Sequence, residues 1–399
     1  MKIPSSPYSN RAVLLDDAER ERRHDALRRL MADNKADAIL ISDNANLFYL
    51  TGRVFDGYVY LPVEGDAIYF VRRPVKLTGD NVVEIHKPEQ IAEHVHLEFG
   101  TVIGLELDVT PYNTIARLVR IFPLSEVGNA SQLMRRARSI KTPEEVELIR
   151  LSGEKHIAVY REIPAFYTPG MSDIELQIEI ERASRLKGCL GQFRISGQSM
   201  ELHMGNLLVG ENADFPSPYD FAMGGAGINP SLPVGADGTI IHSGNTVMVD
   251  MNGNFNGYMT DMTRTYAVGR IADEALRAHR VSIDIHRRVA AEALPGVKCS
   301  DLYHIGAEMA EQAGLSPYFM GHRQHAGFIG HGIGIEVNEA PVIAPRSRDV
   351  IEPGMVIALE PKFVIPGTGA VGIENTYVVR DSGLENLTPM EEDIIYLDN

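Results

Sequence analysis

Four carboxylates and one imidazole stand out because they interrupt stretches that otherwise read as apolar strand. Asp250 closes the run Val247-Met248-Val249, and Asp261 comes just before Thr263-Arg264-Thr265-Tyr266-Ala267-Val268. His331 opens His-Gly-Ile-Gly-Ile-Glu-Val, Glu360 ends the apolar run Met355–Leu359, and Glu374 falls inside Ala-Val-Gly-Ile-Glu-Asn-Thr-Tyr-Val-Val, read here as one strand. Taken singly, an acid in a strand more often faces solvent or an ion pair, and a lone histidine is more often a satisfied core residue. An ionised carboxylate in an apolar strand is costly unless something pairs with it. Taken together, an oxygen-rich set with one nitrogen suits a hard or borderline divalent ion: Mn, Co, Fe or Zn. Five protein ligands are more than a four-coordinate zinc needs. Two ions about 3.5–4 Å apart, bridged by two of the acids, account for the count better.

The elements that must position these residues can be read from patterning. Thr246 to Gly269 reads as two strands joined by a Gly- and Asn-rich turn, the chemistry of a hairpin. Upstream, strands and helices alternate: a charged helix from about Asp16 to Met31, a buried strand Ala36–Ser42, a hairpin over Val59–Val71 broken at Glu64-Gly65-Asp66, a strand Thr101–Leu107 and a helix Tyr112–Ile121. Alternation of this kind implies an α/β domain. A boundary is expected at 138/139, giving domains 1–138 and 139–399. Directly after it, Thr142-Pro143-Glu144-Glu145 is a capping box with Pro at the first helical position, opening a helix expected to run to about Phe166. Ser172-Asp173-Ile174-Glu175 is a second box, with its helix ending near Gly188. Helices from about Ala272 to Leu294 and Ser300 to Ala313 follow the hairpin, then strands to the end. Two helices then strands, twice over, suggests a pseudo-duplicated α+β domain.

Composition narrows the function. At 399 residues, two domains is the prior. Lys+Arg of 38 against Asp+Glu of 54 gives a net charge of −16, which argues against nucleic acid or an anionic membrane as partner. Cys189 and Cys299 are too few for a disulfide framework and suit a reducing cytoplasm. No run approaches a membrane span, and the first residues lack the apolar core of a signal peptide.

The pattern Asp250…Gly257-Tyr258…Asp261-x-Thr263-Arg264-Thr265, then His331-Gly332-x-Gly334, Glu360-Pro361 and Glu374 resembles the pita-bread metallopeptidases: aminopeptidase P, prolidase and methionine aminopeptidase, with creatinase as a metal-free relative. The segment Asn46-Leu-Phe-Tyr-Leu-Thr-Gly52 and the junction Arg138-Ser-Ile-Lys141-Thr-Pro resemble the creatinase and prolidase N-terminal domain, so the resemblance covers nearly the whole chain. It implies an α+β fold, with a pita-bread catalytic domain behind a creatinase-like α/β domain. It also implies two divalent ions: Asp250 chelating the first, Asp261 and Glu374 bridging, His331 and Glu360 holding the second. Glu360 would take a proton as general base from a water whose pKa is pulled from about 15.7 towards about 7. The substrate implied is a small peptide, and the assembly a homodimer. Thr263 and Arg264 read as hairpin support and Tyr258 as packing.

Three positions depart from that family. Val234, in Pro233-Val234-Gly235, stands where relatives place a catalytic histidine. Asn338, before Glu339-Ala-Pro341, replaces another; it can donate a hydrogen bond but cannot act as an acid near neutral pH. Gly372 replaces the arginine that proline-specific relatives carry two positions before the last ligand. His322 and His325, in Gly-His-Arg-Gln-His-Ala-Gly, are candidates to replace a lost histidine, with His203 a weaker one; all three also read as ordinary loop histidines. Three functions compete: a metal-dependent peptidase for small peptides, with those carrying Pro after the scissile bond as the candidate substrates; a same-fold enzyme for a non-peptide small molecule such as a cyclic amide, an amidine or an osmolyte; and a non-catalytic scaffold, which the complete ligand set argues against.

Overall fold

The computed structural model describes residues 15–123, 125–197 and 200–397. They fall into two compact units, within Arg11–Arg138 and Ser139–Asn399.

In the first unit, helix α1 (Asp17–Asp33) starts where the Asp16 side chain accepts the Glu19 N–H at 2.8 Å, and buries Leu27 and Met31 one turn apart. Strand β1 (Ala38–Ile41) is buried throughout, and α2 (Asn44–Thr51) ends at Gly52 with φ +68. The expected hairpin is β2 (Asp56–Pro62) against β3 (Ile68–Arg73), antiparallel. With β4 (Val82–Glu84), β5 (Val102–Leu105), α3 (Tyr112–Ile121), β6 (Glu126–Asn129) and α4 (Ser131–Ser139), the strands form one sheet in the order β4-β3-β2-β1-β5-β6. The deeply buried Glu106 accepts from Ser42 N, Asp43 N and Asn46 Nδ2 at 2.7–2.9 Å. It anchors the start of α2, a structural role.

In the second unit both capping boxes form, at Thr142 and Ser172, opening α5 (Pro143–Tyr160) and α6 (Asp173–Leu186). Helix α5 stops at Tyr160 rather than Phe166, and a 3-10 turn follows at Ile163–Ala165. Pro164 supplies the reason, since it has no N–H to continue the ladder. Strand β7 (Gly205–Val209) lies beside the long hairpin β8 (Thr246–Asn254) and β9 (Met259–Ala267). Helices α7 (Asp273–Glu292) and α8 (Cys299–Gln312) come next; α7 buries Ala275, Ala278, Ser282, Ile285 and Val289, a spacing of three and four that makes one face. Strands β10 (Gly330–Gly332), β11 (Glu339–Ile343), β12 (Val356–Leu359), β13 (Lys362–Ile365), β14 (Gly369–Gly372), β15 (Asn375–Arg380), β16 (Gly383–Asn386) and β17 (Ile395–Tyr396) complete the unit. They form a five-stranded sheet β11-β10-β12-β15-β16, the ribbon β13-β14, and a four-stranded sheet β17-β9-β8-β7. Two helices then strands do occur twice. Among the described residues no helix is long and apolar enough to cross a membrane.

Two strand expectations need correction. Glu374 is not mid-strand but lies in the short break between β14 and β15, because Gly372 turns the chain at φ +143. The residues after His331 form a bend rather than a strand. There the Glu339 carboxylate accepts the N–H groups of Ile335 and Glu336 at 3.1 Å each, and Lys141 Nζ lies 2.8 Å from its other oxygen.

Candidate metal centre

Alternation along β8 and β9, with Asp250 paired to Thr263 and Asn252 to Asp261, puts both aspartates on one face of the hairpin. Asp261 is tied to β15 by a reciprocal pair: its N–H donates to Thr376 Oγ1, whose hydroxyl donates to the Asp261 carbonyl, each at 2.9 Å. The Tyr160 hydroxyl clamps the hairpin from behind, donating to Met262 O at 2.6 Å and accepting from Met251 N at 3.0 Å. His331 pairs with Ala358, so it stands beside the end of β12, where Glu360 follows, its N–H bonded to Ile329 O. Glu374 is fixed by Thr263 Oγ1, which donates to Oε2 at 2.7 Å. The buried Arg264 holds the backbone behind it, reaching the carbonyls of Thr263 and Glu374 at 2.7 and 2.8 Å. Thr263 therefore touches a candidate ligand directly, while Arg264 supports the hairpin and Tyr258 donates to Glu145 Oε1 at 2.9 Å, away from the acids.

All five side chains converge. Asp261, His331 and Glu374 offer atoms within 4.8 Å of one another, as do Asp250, Glu360 and Glu374. His331 Nδ1 lies 3.0 Å from the Gly332 carbonyl, an acceptor, so Nδ1 carries the proton and donates. Nε2 is then the nitrogen turned to the acids, 3.3 Å from Glu360 Oε1 and 4.0 Å from Asp261 Oδ2. Glu374 Oε1 is buried beside them with no hydrogen-bond partner. An imidazole nitrogen and carboxylate oxygens crowded in this way form a donor set that a divalent ion would satisfy by displacing the Nε2 proton, and this half of the site fits one.

The other half holds a residue that reading for ligands passed over. Lys362, wholly buried, places Nζ 2.8 Å from Asp250 Oδ2, 2.7 Å from Glu360 Oε2 and 3.2 Å from Glu374 Oε2. An ammonium has three protons, and here each has a carboxylate. The sequence does carry a signal for it: Lys362 follows Glu360 by two, so strand alternation aims both at the same side.

The charges set each other's protonation. Burial works against the Lys362 ammonium, but Asp250, Glu360 and Glu374 outweigh it and hold Lys362 charged, above its ordinary value. Burial opposes charge on Glu360 as well, and Lys362 and His331 overcome it and keep the carboxylate ionised. His331 is driven up to about 9: burial lowers it, and the bond and charge of Glu360 more than compensate. Glu374 and Asp261 move the other way, pushed up first by burial and then by neighbouring acids. The acids share the positive charges of Lys362 and His331.

The sequence matches the model of the Metallopeptidase family M24 over residues 147–381 and that of the Creatinase/Prolidase N-terminal domain over 23–140. The chain belongs to metallopeptidase family M24. The creatinase-type match precedes the M24 match along the chain. The chain is 26% identical over 384 residues to an Xaa-Pro dipeptidase of Pyrococcus furiosus, covering 94% of this chain and 99% of that one. An uncharacterized peptidase of Bacillus subtilis, YqhT, is 29% identical over 384 residues, covering 93% and 99%. The structure of an Xaa-Pro dipeptidase from Bacillus anthracis superposes with a TM-score of 0.79 at 24% identity, covering 94% and 99%.

Around the acids of this M24 chain lies a small cavity of about 70 Å³, walled by Leu202, Phe221, Phe328 and Val337 and reached by Asp220 and Asn338. Asn338 is held at both ends: Oδ1 accepts Ser196 N at 2.7 Å and Nδ2 donates to Ser196 O at 2.6 Å. Neither His322 nor His325 lines it. His322 Nδ1 meets Asp214 Oδ2 at 2.8 Å, and His325 Nδ1 meets the Phe319 carbonyl at 2.8 Å, beside a neighbouring hollow. Val234 and His203 line a separate cavity of about 400 Å³ with Ile174, Ile178 and Ile228. Gly372, directly across from Lys362 in the β13-β14 ribbon, has no room for a side chain: a Cβ would come within 2.9 Å of Pro361 O and 3.0 Å of Lys362 Cα.

Proposed function

We propose that this chain is a metal-dependent hydrolase of small peptides, of the Xaa-Pro aminopeptidase or dipeptidase kind. The observation that carries the reading is the convergence of Asp261, His331, Glu374 and Glu360, an imidazole with its Nε2 turned to the carboxylates, beside a cavity. The printed names of relatives from Pyrococcus furiosus and Bacillus anthracis point to the same chemistry. Mn, Co, Zn or Fe suits these donors. A divalent ion held there supplies Lewis acidity and lowers the pKa of a water from about 15.7 towards about 7.

The chain's own residues do the rest. Glu360, kept ionised by Lys362 and His331, accepts the proton of the attacking water and is placed to return it to the departing amine. Thr263 fixes the orientation of Glu374. Leu202, Phe221, Phe328 and Val337 exclude bulk water and strengthen every charge interaction inside.

The test is hydrolysis of a panel of Xaa-Pro and Xaa-Ala di- and tripeptides by Mn-, Co- and Zn-loaded protein. Turnover confined to Xaa-Pro peptides is expected, with a loss of roughly 10²–10⁴-fold in Glu360→Gln. Silence across the panel from folded, metal-loaded protein overturns the reading.

A second reading has its own observations. The position of the proline-specific arginine is closed at Gly372, Asn338 is spent on the Ser196 backbone, and the cavity is small. These favour a compact non-peptide substrate: a cyclic amide, an amidine or an osmolyte. Hydrolysis of such a compound by protein silent on peptides would select it.

A further inference from the structure

The family resemblance implies two divalent ions, and the geometry of the acids does not leave space for both. We infer that the Lys362 ammonium permanently takes the place of one of them, so that the site holds a single divalent ion on the His331 side. The inference rests on the reading of these residues as a metal centre and fixes its composition.

Three observations converge. The two triads that could each hold an ion share Glu374, and Lys362 Nζ stands inside one of them, bonded to Asp250, Glu360 and Glu374 at 2.7–3.2 Å. Those are the very oxygens a second ion would need at about 2.0–2.2 Å, and they cannot face ammonium and metal together. The lysine is also built in rather than draped over the site. It is 0% exposed, its carbonyl accepts from Met320 N at 2.9 Å, and its strand partner is a glycine that no side chain can replace without meeting the lysine's own Cα. The other triad keeps its ion-binding features: Nε2 of His331 turned to Asp261 and Glu360, and Glu374 Oε1 buried without a partner.

Formal charge agrees with this composition. Four carboxylates with one ammonium and one divalent ion sum to −1, within one charge of the four carboxylates with two divalent ions that the family pattern implies. Adding a second ion to the lysine would leave a buried positive excess of +1 before any substrate entered. An ammonium differs from a metal in what it offers: a fixed single charge and hydrogen bonds, with no exchange and no open coordination position. Asp250 is on this view the lysine's partner, and Lys362 is a positioning residue that fixes Glu360.

The test reads composition, not turnover. Full-length protein is dialysed against excess MnCl₂ and bound manganese is measured per chain, with the electron paramagnetic resonance spectrum taken on the same sample. The expected result is about one ion per chain with the uncoupled signal of an isolated Mn(II). Two ions per chain with a coupled spectrum overturn the inference, and so does saturation at none. Lys362→Ala vacates the triad and is expected to raise the count to about two, whereas Lys362→Arg keeps it at one; a folded Lys362→Ala protein that stays at one also overturns it. Should Lys362→Ala fail to fold, anomalous scattering from wild-type crystals soaked in manganese decides: a single peak at His331 Nε2 supports the inference, and a peak among Asp250, Glu360 and Glu374 refutes it. A protein with one ion that cuts no peptide leaves this inference standing and sends the substrate to the second reading. Peptide turnover with two ions does the reverse.

Discussion

Replacing Gly372 by alanine adds one methyl group at the point where the β13-β14 ribbon meets the acids. Two separate costs follow from the structure. The backbone there has φ +143, a region that residues with a Cβ avoid, at about 1–3 kcal/mol. The new carbon would stand 2.9 Å from Pro361 O, 3.0 Å from Lys362 Cα and 3.0 Å from Ser282 Oγ, and two of those are backbone that cannot swing away. Overpacking of this kind costs about 1–3 kcal/mol more. The expected loss is therefore about 2–6 kcal/mol. Gly367 supplies the control: it also has positive φ, at +76, but nothing lies within 4 Å of its added Cβ, so Gly367→Ala carries only a dihedral cost of about 1–2 kcal/mol. Urea unfolding of wild type and both variants, followed by circular dichroism at constant metal concentration, separates the two terms. A Gly372→Ala protein within about 0.5 kcal/mol of wild type, or no less stable than Gly367→Ala, would refute the claim that this glycine is required by contact.

Two further outcomes are expected. Lys141→Met leaves the Glu339 carboxylate buried without its ammonium, and since both side chains are almost fully buried the loss in urea unfolding free energy should be about 3–5 kcal/mol; the double variant Lys141→Met, Glu339→Leu should recover part of it, and a single-variant loss under 1 kcal/mol would contradict the assignment. His156, His279 and His286 are held neutral, chiefly by burial, with values of about 3, 4 and 3. Because the folded values lie below the unfolded value of about 6.5, their contribution is complete above pH 6.5 and is lost as pH falls towards 3–4, by about 2–3 kcal/mol per group at pH 4.5. Unfolding free energies measured from pH 7 to 4.5 should fall less steeply in His279→Gln than in wild type, and equal slopes would count against it.

Local signals in this chain were readable wherever the physics is local. Thr142 and Ser172 each carry a glutamate three residues on, and both helices start there. The hairpin of Thr246 to Ala267 was visible in its glycines and asparagines, and Tyr112–Ile121 is helical over the expected residues. What escaped depends on partners distant in sequence. Lys362 at the start of a strand looks like an edge or surface residue until Asp250, 112 positions earlier, is placed beside it. His322 looked available for chemistry, and Asp214, 108 positions away, occupies its Nδ1. Glu374 looked like a strand residue because Val371 and Ile373 flank a glycine whose positive φ no pattern of apolar residues reports.

The guanidinium of Arg264 has one further consequence. Besides the carbonyls near Glu374 it reaches Glu391 O at 2.6 Å and Met390 O at 3.4 Å, and Ile395–Tyr396 runs parallel to β9 alongside. The hairpin bearing both aspartates is complete by residue 267, but the acceptors of that guanidinium other than the Thr263 carbonyl arrive more than a hundred residues later. A chain that ended before 390 and still folded around the hairpin would bury the guanidinium without the Met390 and Glu391 carbonyls. A truncation that spares every acid and the histidine is therefore expected to leave the cluster without its frame.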